Sequence, residues 1–192
     1  MAISEENLSD EELVARVQGN NEMAFGVLMK RYQDRLLRYG RRFLAEHSHI
    51  EDIVQDIFIR AYQNIQSFDT SKRFSPWLYR IAHNAFVNAL RTRQHTPLLF
   101  MNFDTLLSHP TYEEKLENKE EAQHMNAMLE SGLNTIPAIY REVLILFYGE
   151  ELRYQEIADI LHIPIGTVGI RLRRGKELLK KLLHSATHYN TH

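Results

Sequence analysis

Four bases crowd together near the C-terminus, Arg171, Arg173, Arg174 and Lys176, with Thr167 just ahead of them. Guanidinium and ammonium groups at that density suit phosphate oxygens and the acceptor-rich base edges of a DNA major groove. A second set mixes bases with amides. Arg80, Asn84, Asn88 and Arg91 recur at three- and four-residue steps, which on a helix gives one polar stripe. Just before it, the stretch Phe68-Asp69-Thr70-Ser71-Lys72-Arg73-Phe74 combines rings, polar groups and bases. That mixture can hold an unstacked nucleotide base, which needs a receiving pocket and a charge partner. The two rings serve equally well as core plugs that close a loop, because aromatics are usually buried. The third set is acidic: Glu51, Asp52, Gln55 and Asp56 fall on one side of a helix and suit Arg and Lys on a protein partner. Glu51 and Asp52 also fit the favourable end of a helix dipole, whereas Asp56 lies beyond the first turn.

None of these sets places a nucleophile beside a base, and no Gly-rich phosphate loop or Glu-x-x-His pattern accompanies the acids. The expectation is a binding protein, not an enzyme, with no cofactor and no metal. His184, His188 and His192 could align on one helix face and bind a metal, but at an unanchored terminus a frayed polar end is the expected outcome.

The elements that must position these groups are helices, because apolar residues recur with helical period almost throughout. Ser9-x-x-Glu12 is a capping box that opens a short helix, and Gly19-Asn20 closes it. A long helix over about 22–44 carries the stripe Phe25, Leu28, Met29, Tyr32, Leu36, Tyr39 and Phe43. A third, over about 50–65, buries Ile53, Val54, Ile57, Phe58, Ala61 and Tyr62. Ser75-Pro76 reads as a helix start, with Ser capping and Pro at the first helical position. That helix runs to about Arg93 with Trp77, Leu78, Ile81, Ala82, Ala85, Phe86 and Ala89 turned inward. Thr96-Pro97 breaks the pattern, and residues to Pro110 read as linker. An acidic helix over about 112–133, a helix from Pro137 to Tyr148 and three further short elements complete the chain. The fold class is therefore all-α: two small helical domains, 7–95 and 126–184, joined by a linker over 96–125.

A chain of 192 residues with 44% hydrophobic content can bury two such cores. It has no Cys, no signal-peptide pattern and no apolar run near the ~18 residues that span a bilayer, so a cytoplasmic protein without membrane insertion is expected. The net charge of −2 hides blocks of −5 over residues 1–25, +6 over 26–96, −7 over 97–152 and +4 over 153–192. Two basic blocks flanking an acidic one suit two anionic contacts and a spacer, in which Glu113, Glu114, Glu117, Glu120 and Glu121 discourage stray DNA contacts; ordinary solvated helix surface has the same look.

Tyr154 to Leu172 has the spacing of a helix-turn-helix. Ala158 is the small residue where two helices nearly touch, Ile157 and Leu161 flank it, Ile163 follows the turn, Val168 lies in the second helix, and Pro164 opens that helix. A plain helical hairpin satisfies part of this pattern, but the four following bases favour DNA. His162 stands where such turns usually have Gly, and it tolerates a left-handed backbone better than most residues. Gly169, inside the second helix, costs about 1 kcal/mol relative to Ala. It either permits close approach to DNA or is a weak spot.

Glu156-Ile157-Ala158 with Gly166-Thr167-Val168 and Arg171-Leu172 resembles the promoter −35 reader of bacterial RNA polymerase sigma factors. Glu51-Asp52-Ile53-Val54-Gln55-Asp56-Ile57-Phe58 resembles that family's polymerase-binding helix, and Phe74 to Asn84 its −10 segment. With only the second and fourth sigma regions present, the layout resembles the compact extracytoplasmic-function (ECF) group. The resemblance implies a sigma factor that binds core RNA polymerase through Glu51, Asp52, Gln55, Asp56 and Phe58. It would trap unpaired −10 bases through Phe68, Lys72, Arg73, Phe74, Arg80, Asn84, Asn88 and Arg91. It would read −35 duplex through Thr167, Arg171, Arg173, Arg174 and Lys176. Core RNA polymerase and promoter DNA are then the partners, and the family often implies an anti-sigma factor. The helix from Pro137 to Tyr148 would support the helix-turn-helix and meet the polymerase flap. The alternative is a stand-alone helix-turn-helix regulator with an N-terminal sensor or dimerisation domain.

Overall fold

The computed structural model of the protein describes residues 5–43, 49–94 and 132–189, all helix or short connection, with no strand among them. The expected linker, most of the acidic helix and the last of the three tail histidines lie outside the described residues. The chain divides into two compact units.

The first unit holds α1 (Asp10–Gln18), α2 (Glu22–Phe43), α3 (Ile50–Asn64) and α4 (Phe74–Gln94). Helix α1 starts as its sequence requires. The Ser9 hydroxyl accepts from the Glu12 amide at 3.2 Å, while the Glu12 carboxylate accepts from the Ser9 amide at 2.7 Å. The Ser9 backbone and hydroxyl together hold the Glu12 carboxyl below its ordinary pKa. Gly19 closes the helix and Asn20 takes a left-handed φ of 67°.

Leu13, Val14 and Val17 of α1 join Leu28, Tyr32, Leu36 and Tyr39 of α2, Val54, Ile57, Phe58 and Ala61 of α3, and Leu78, Tyr79, Ala82 and Phe86 of α4 in one core. Each large apolar side chain so buried contributes roughly 1.5–3 kcal/mol. Gly40 makes the α2–α4 approach possible: a Cβ there would sit 2.6 Å from the buried Phe86 ring. Tyr62, expected inside, is 42% exposed, with its ring edge against Phe25 at 5.0 Å.

Asp10 anchors α1 to α2. It accepts from Arg31 at 2.7 Å and from the Tyr32 hydroxyl, while Arg31 also donates to the Glu6 and Leu8 carbonyls. Burial first, and then the Asp10 bond, push the Tyr32 hydroxyl far above its ordinary pKa.

Helix α4 departs from expectation at its start. It begins at Phe74, one residue before the expected cap, and Ser75 is buried within its first turn. The first amide is satisfied from elsewhere: Phe74 N donates to the Glu11 carboxylate at 2.9 Å.

The C-terminal part of the chain holds α5 (Ala138–Leu144), α6 (Tyr154–Leu161) and α7 (Ile165–Tyr189), with residues 132–135 also helical. Helix α5 continues as a wider π turn over Ile145–Gly149. The last short elements expected from the sequence are one 25-residue helix, α7. Helices α5 and α7 pack together at Gly175, where a Cβ would lie 3.0 Å from the Leu144 side chain. Arg141, only 4% exposed, donates to the carbonyls of Ile136 at 3.2 Å and Asn134 at 3.4 Å, which ties the incoming chain to α5.

Candidate nucleic-acid interface

In the C-terminal part of the chain, Ile157, Ala158, Val168 and Leu172 are buried, while Leu161 and Ile163 are half-buried. The turn between α6 and α7 passes through His162 at φ 53°, the left-handed conformation that replaces the usual glycine. The Ile163 amide then reaches back to the Ala158 carbonyl at 3.1 Å, and Thr167 N bonds the Pro164 carbonyl at 2.8 Å. This is a helix-turn-helix, and it fixes which side of α7 faces outward. Arg173, Arg174 and Lys176 are exposed there, whereas Thr167 and Arg171 are half-buried. Arg173 approaches Glu177 at 3.8 Å, and the Lys176 ammonium lies 5.9 Å from the Tyr148 ring centre. Ile165 and Ile170 also face solvent, each 49% exposed, with Gly166 exposed between them. Charge patterning does not point to these aliphatics; only their exposure does.

In the first unit, Arg80, Asn84 and Asn88 are exposed along α4. The Arg91 side chain lies outside the described residues. The loop before α4 exposes Asp69, Thr70, Ser71, Lys72 and Arg73. Its two aromatics do not join them: Phe68 is 8% and Phe74 1% exposed. Phe68 meets Phe74 at 5.9 Å and Trp77 at 5.2 Å, and Phe74 meets Tyr32 at 5.6 Å, so both rings close the loop from inside. Of the two uses open to these rings, their burial matches the core plug.

The loop is held at both ends by α1. The Gln18 amide donates to the carbonyls of Ile65 and Phe68, each at 2.8 Å, and Glu11 caps Phe74. Between the ends, Asp69 accepts from the Ser71 hydroxyl at 2.7 Å and the Ser71 amide at 3.0 Å. Those two bonds, hydroxyl first, hold the Asp69 carboxyl below its ordinary pKa. No local pattern singles out Gln18 or Glu11, since their partners lie 47, 50 and 63 residues away.

Helix α3 exposes Glu51, Asp52, Gln55 and Asp56. Phe58 is buried at 4%, as its place in the apolar stripe predicts, so its ring packs in the core behind this face. The face instead gains Ile59, which is 54% exposed and spaced three and four residues from Asp56 and Gln55. Among the described residues, no group of three or more His, Asp or Glu could hold a metal ion.

Two helical units, one a helix-turn-helix with an outward basic helix, define a DNA-binding protein of bipartite design. The sigma-70 region 2 family matches residues 28–96, and the sigma-70 region 4 family matches residues 127–179. The ECF RNA polymerase sigma factor SigW of Bacillus subtilis is 34% identical over 178 residues, covering 88% of this chain and 94% of the relative. The ECF RNA polymerase sigma-E factor of Haemophilus influenzae is 34% identical over 190 residues, covering 91% and 95%. Among solved structures, CnrH in complex with the cytosolic domain of CnrY matches with a TM-score of 0.64 and 26% identity, covering 92% of this chain and 97% of that one. The sigma factor RpoE of Bartonella quintana, in complex with the anti-sigma factor NepR, matches with a TM-score of 0.60 and 25% identity, covering 83% and 96%. The chain belongs to the ECF RNA polymerase sigma factors.

Proposed function

We propose that residues 7–95 bind core polymerase and the −10 element, that 96–125 is a linker, and that 126–184 reads the −35 duplex. The protein then acts as a non-enzymatic, cytoplasmic specificity subunit, and the polymerase performs the chemistry. The carrying observation is that the loop 69–73 is exposed, polar and basic, yet clasped at both ends by α1. A site that must receive an unpaired base works best when it is organised beforehand, because ordering it on binding would cost free energy.

Lys72, Arg73, Arg80, Asn84 and Asn88 are the −10 contacts in this reading, with Phe68 and Phe74 as their support. Arg173, Arg174 and Lys176 meet −35 phosphates and bases. Glu51, Asp52, Gln55, Asp56 and Ile59 form the polymerase face. Trapping bases offsets an unpairing cost of a few kcal/mol. Because both units ride on one polymerase, the second DNA contact is effectively intramolecular, so a chain of net charge −2 need not bind DNA well alone. An anti-sigma factor, such as the one bound to the Bartonella relative, would hold this chain by covering such faces.

In vitro transcription with core polymerase across a random promoter library tests this directly. Promoter-selective initiation that needs both protein and core is the expected result; no initiation on any sequence would overturn it.

A further inference from the structure

We propose that the first two turns of α7 read DNA through the 5-methyl groups of thymine, with Ile170 as the principal reader and Ile165 beside it. This rests on the reading that α7 enters the −35 major groove, and it names what the helix recognises there.

Four residues argue for it. Ile165 and Ile170 are each 49% exposed, an unusual state for a residue type normally found inside. Gly166 and Gly169 accompany them, and nothing within the protein calls for glycine at either place. Among the described glycines none has a positive φ, so no special backbone conformation is served. A Cβ on Gly166 would meet open space, and one on Gly169 would meet only the Tyr154 ring at 3.6 Å, an ordinary contact. Glycine inside a helix weakens it. The return for that weakness lies outside the molecule: a low surface flanking two aliphatic side chains lets the helix backbone come close to whatever it meets.

The occupant follows from chemistry. Ile165, Gly166, Gly169 and Ile170 offer no side-chain donor or acceptor, and Thr167 among them is half-buried. Apart from the half-buried Thr167 hydroxyl, this part of the helix therefore has no side chain that hydrogen-bonds a base edge. In the major groove the one apolar feature that distinguishes a base is the C5-methyl of thymine. One to two turns further on, Arg173, Arg174 and Lys176 are exposed, a charge pattern complementary to phosphates. A protein partner would find bases next to its apolar contact; a duplex explains both halves of the surface.

The test uses holoenzyme and a −35 duplex selected from a random library. Each thymine on either strand is replaced singly by deoxyuridine, which removes the methyl and leaves every hydrogen-bonding group. At one or two positions the affinity should fall about three- to fivefold, the worth of one buried methyl. Ile170→Ser should abolish that difference, Ile170→Val should keep most of it, and Arg174→Ala should weaken thymine and deoxyuridine duplexes equally. Far-UV circular dichroism checks that each variant keeps its helices, and Ile170→Ala, which removes most of the aliphatic side chain and favours helix, carries the comparison should Ile170→Ser unfold. Equal affinity for thymine and deoxyuridine at every position, in a holoenzyme that still prefers its −35 sequence, overturns this proposal alone. So does full discrimination by Ile170→Ser. Absence of any −35 sequence preference overturns the underlying reading instead. Loss of binding to a protein, with DNA affinity unchanged in Ile170→Ser, would assign the patch to a protein partner and sink the methyl reading.

Discussion

The side-chain amide of Gln18, in α1, bonds the backbone carbonyl of Phe68 at 2.8 Å across 50 residues of chain, and its second hydrogen reaches Ile65 at the same distance. One amide thus fixes the point where α3 gives way to the exposed loop. Both amide hydrogens are used, so the position has a chemical requirement that size alone does not meet. Gln18→Leu keeps the bulk and removes the donors. It should lower unfolding stability by about 1–3 kcal/mol, measured by denaturant titration, because the Phe68 carbonyl loses this donor and the Ile65 carbonyl keeps only the Phe68 amide. Open-complex formation on a promoter should fall further than −35 duplex binding, since only the loop proposed to meet the −10 element is released. An equal fall in both would mean that the clasp has no special tie to the loop.

Glu11 performs the corresponding task at the other end. Its carboxylate accepts from the first amide of α4, where a helix dipole also favours negative charge. Glu11→Ala should cost about 0.5–2 kcal/mol in thermal or denaturant unfolding, the range for a lost helix cap. Glu11→Gln keeps an acceptor and should recover about half of it. Amide exchange at Phe74 should speed up in the alanine variant and much less in the glutamine variant.

How far the sequence shows this arrangement depends on the reach of each interaction. The Ser9–Glu12 box and the left-handed His162 are set within four or five residues, and both are legible in the local sequence. The cap of α4 is not: Ser75-Pro76 is a sound local signal, but Glu11 from α1 satisfies Phe74 and moves the start forward. Aromatic rings mislead for a related reason. Phe68 and Phe74 look equally suited to contact and to core, and the neighbouring Trp77 and Tyr32 decide for core. Ile59, Ile165 and Ile170 are the converse case: apolar residues that suit an interior in a periodic pattern but are turned outward by the helix face the core selects.

Two glycines on α2 should respond to alanine with opposite sign. A Cβ at Gly40 would lie 2.6 Å from the Phe86 ring, which is fully buried and cannot swing away, whereas Gly26 has nothing within 4 Å. Gly40→Ala should destabilise the first unit by about 1–3 kcal/mol through overpacking. Gly26→Ala should stabilise by up to about 1 kcal/mol through helix propensity. Equal melting temperatures for the two variants would show that α2 and α4 are free to move apart at Gly40.

Asp69 offers a pH-dependent test of the loop itself. Its folded pKa is depressed, chiefly by the Ser71 hydroxyl and then the Ser71 amide, so the ionised form is favoured. The contribution is complete above the ordinary carboxylate pKa and is lost as pH falls through the depressed folded value. Side-chain carboxyl NMR should place the Asp69 titration below the ordinary range. Ser71→Ala should move it upward, toward that range, and an unmoved midpoint would dissociate the turn from the titration.

The exposed pair of Arg173 and Glu177, 3.8 Å apart on the outward face of α7, should bear on DNA affinity more than on stability under the proposed −35 reading. An exposed i,i+4 pair adds little to folding, so Glu177→Gln should leave unfolding nearly unchanged. On the face proposed to meet phosphate, however, the carboxylate would both compete for the guanidinium and repel the duplex. Removing it should tighten holoenzyme binding to −35 duplex at low salt, with the gain shrinking as salt screens the charge. Arg174→Ala should weaken binding to all duplexes and lower the magnitude of the salt slope by about 1, as expected for one lost phosphate contact. If Glu177→Gln left affinity unchanged at every salt concentration, this side of α7 would not face phosphate, and Arg173 would drop out of the DNA-contact set.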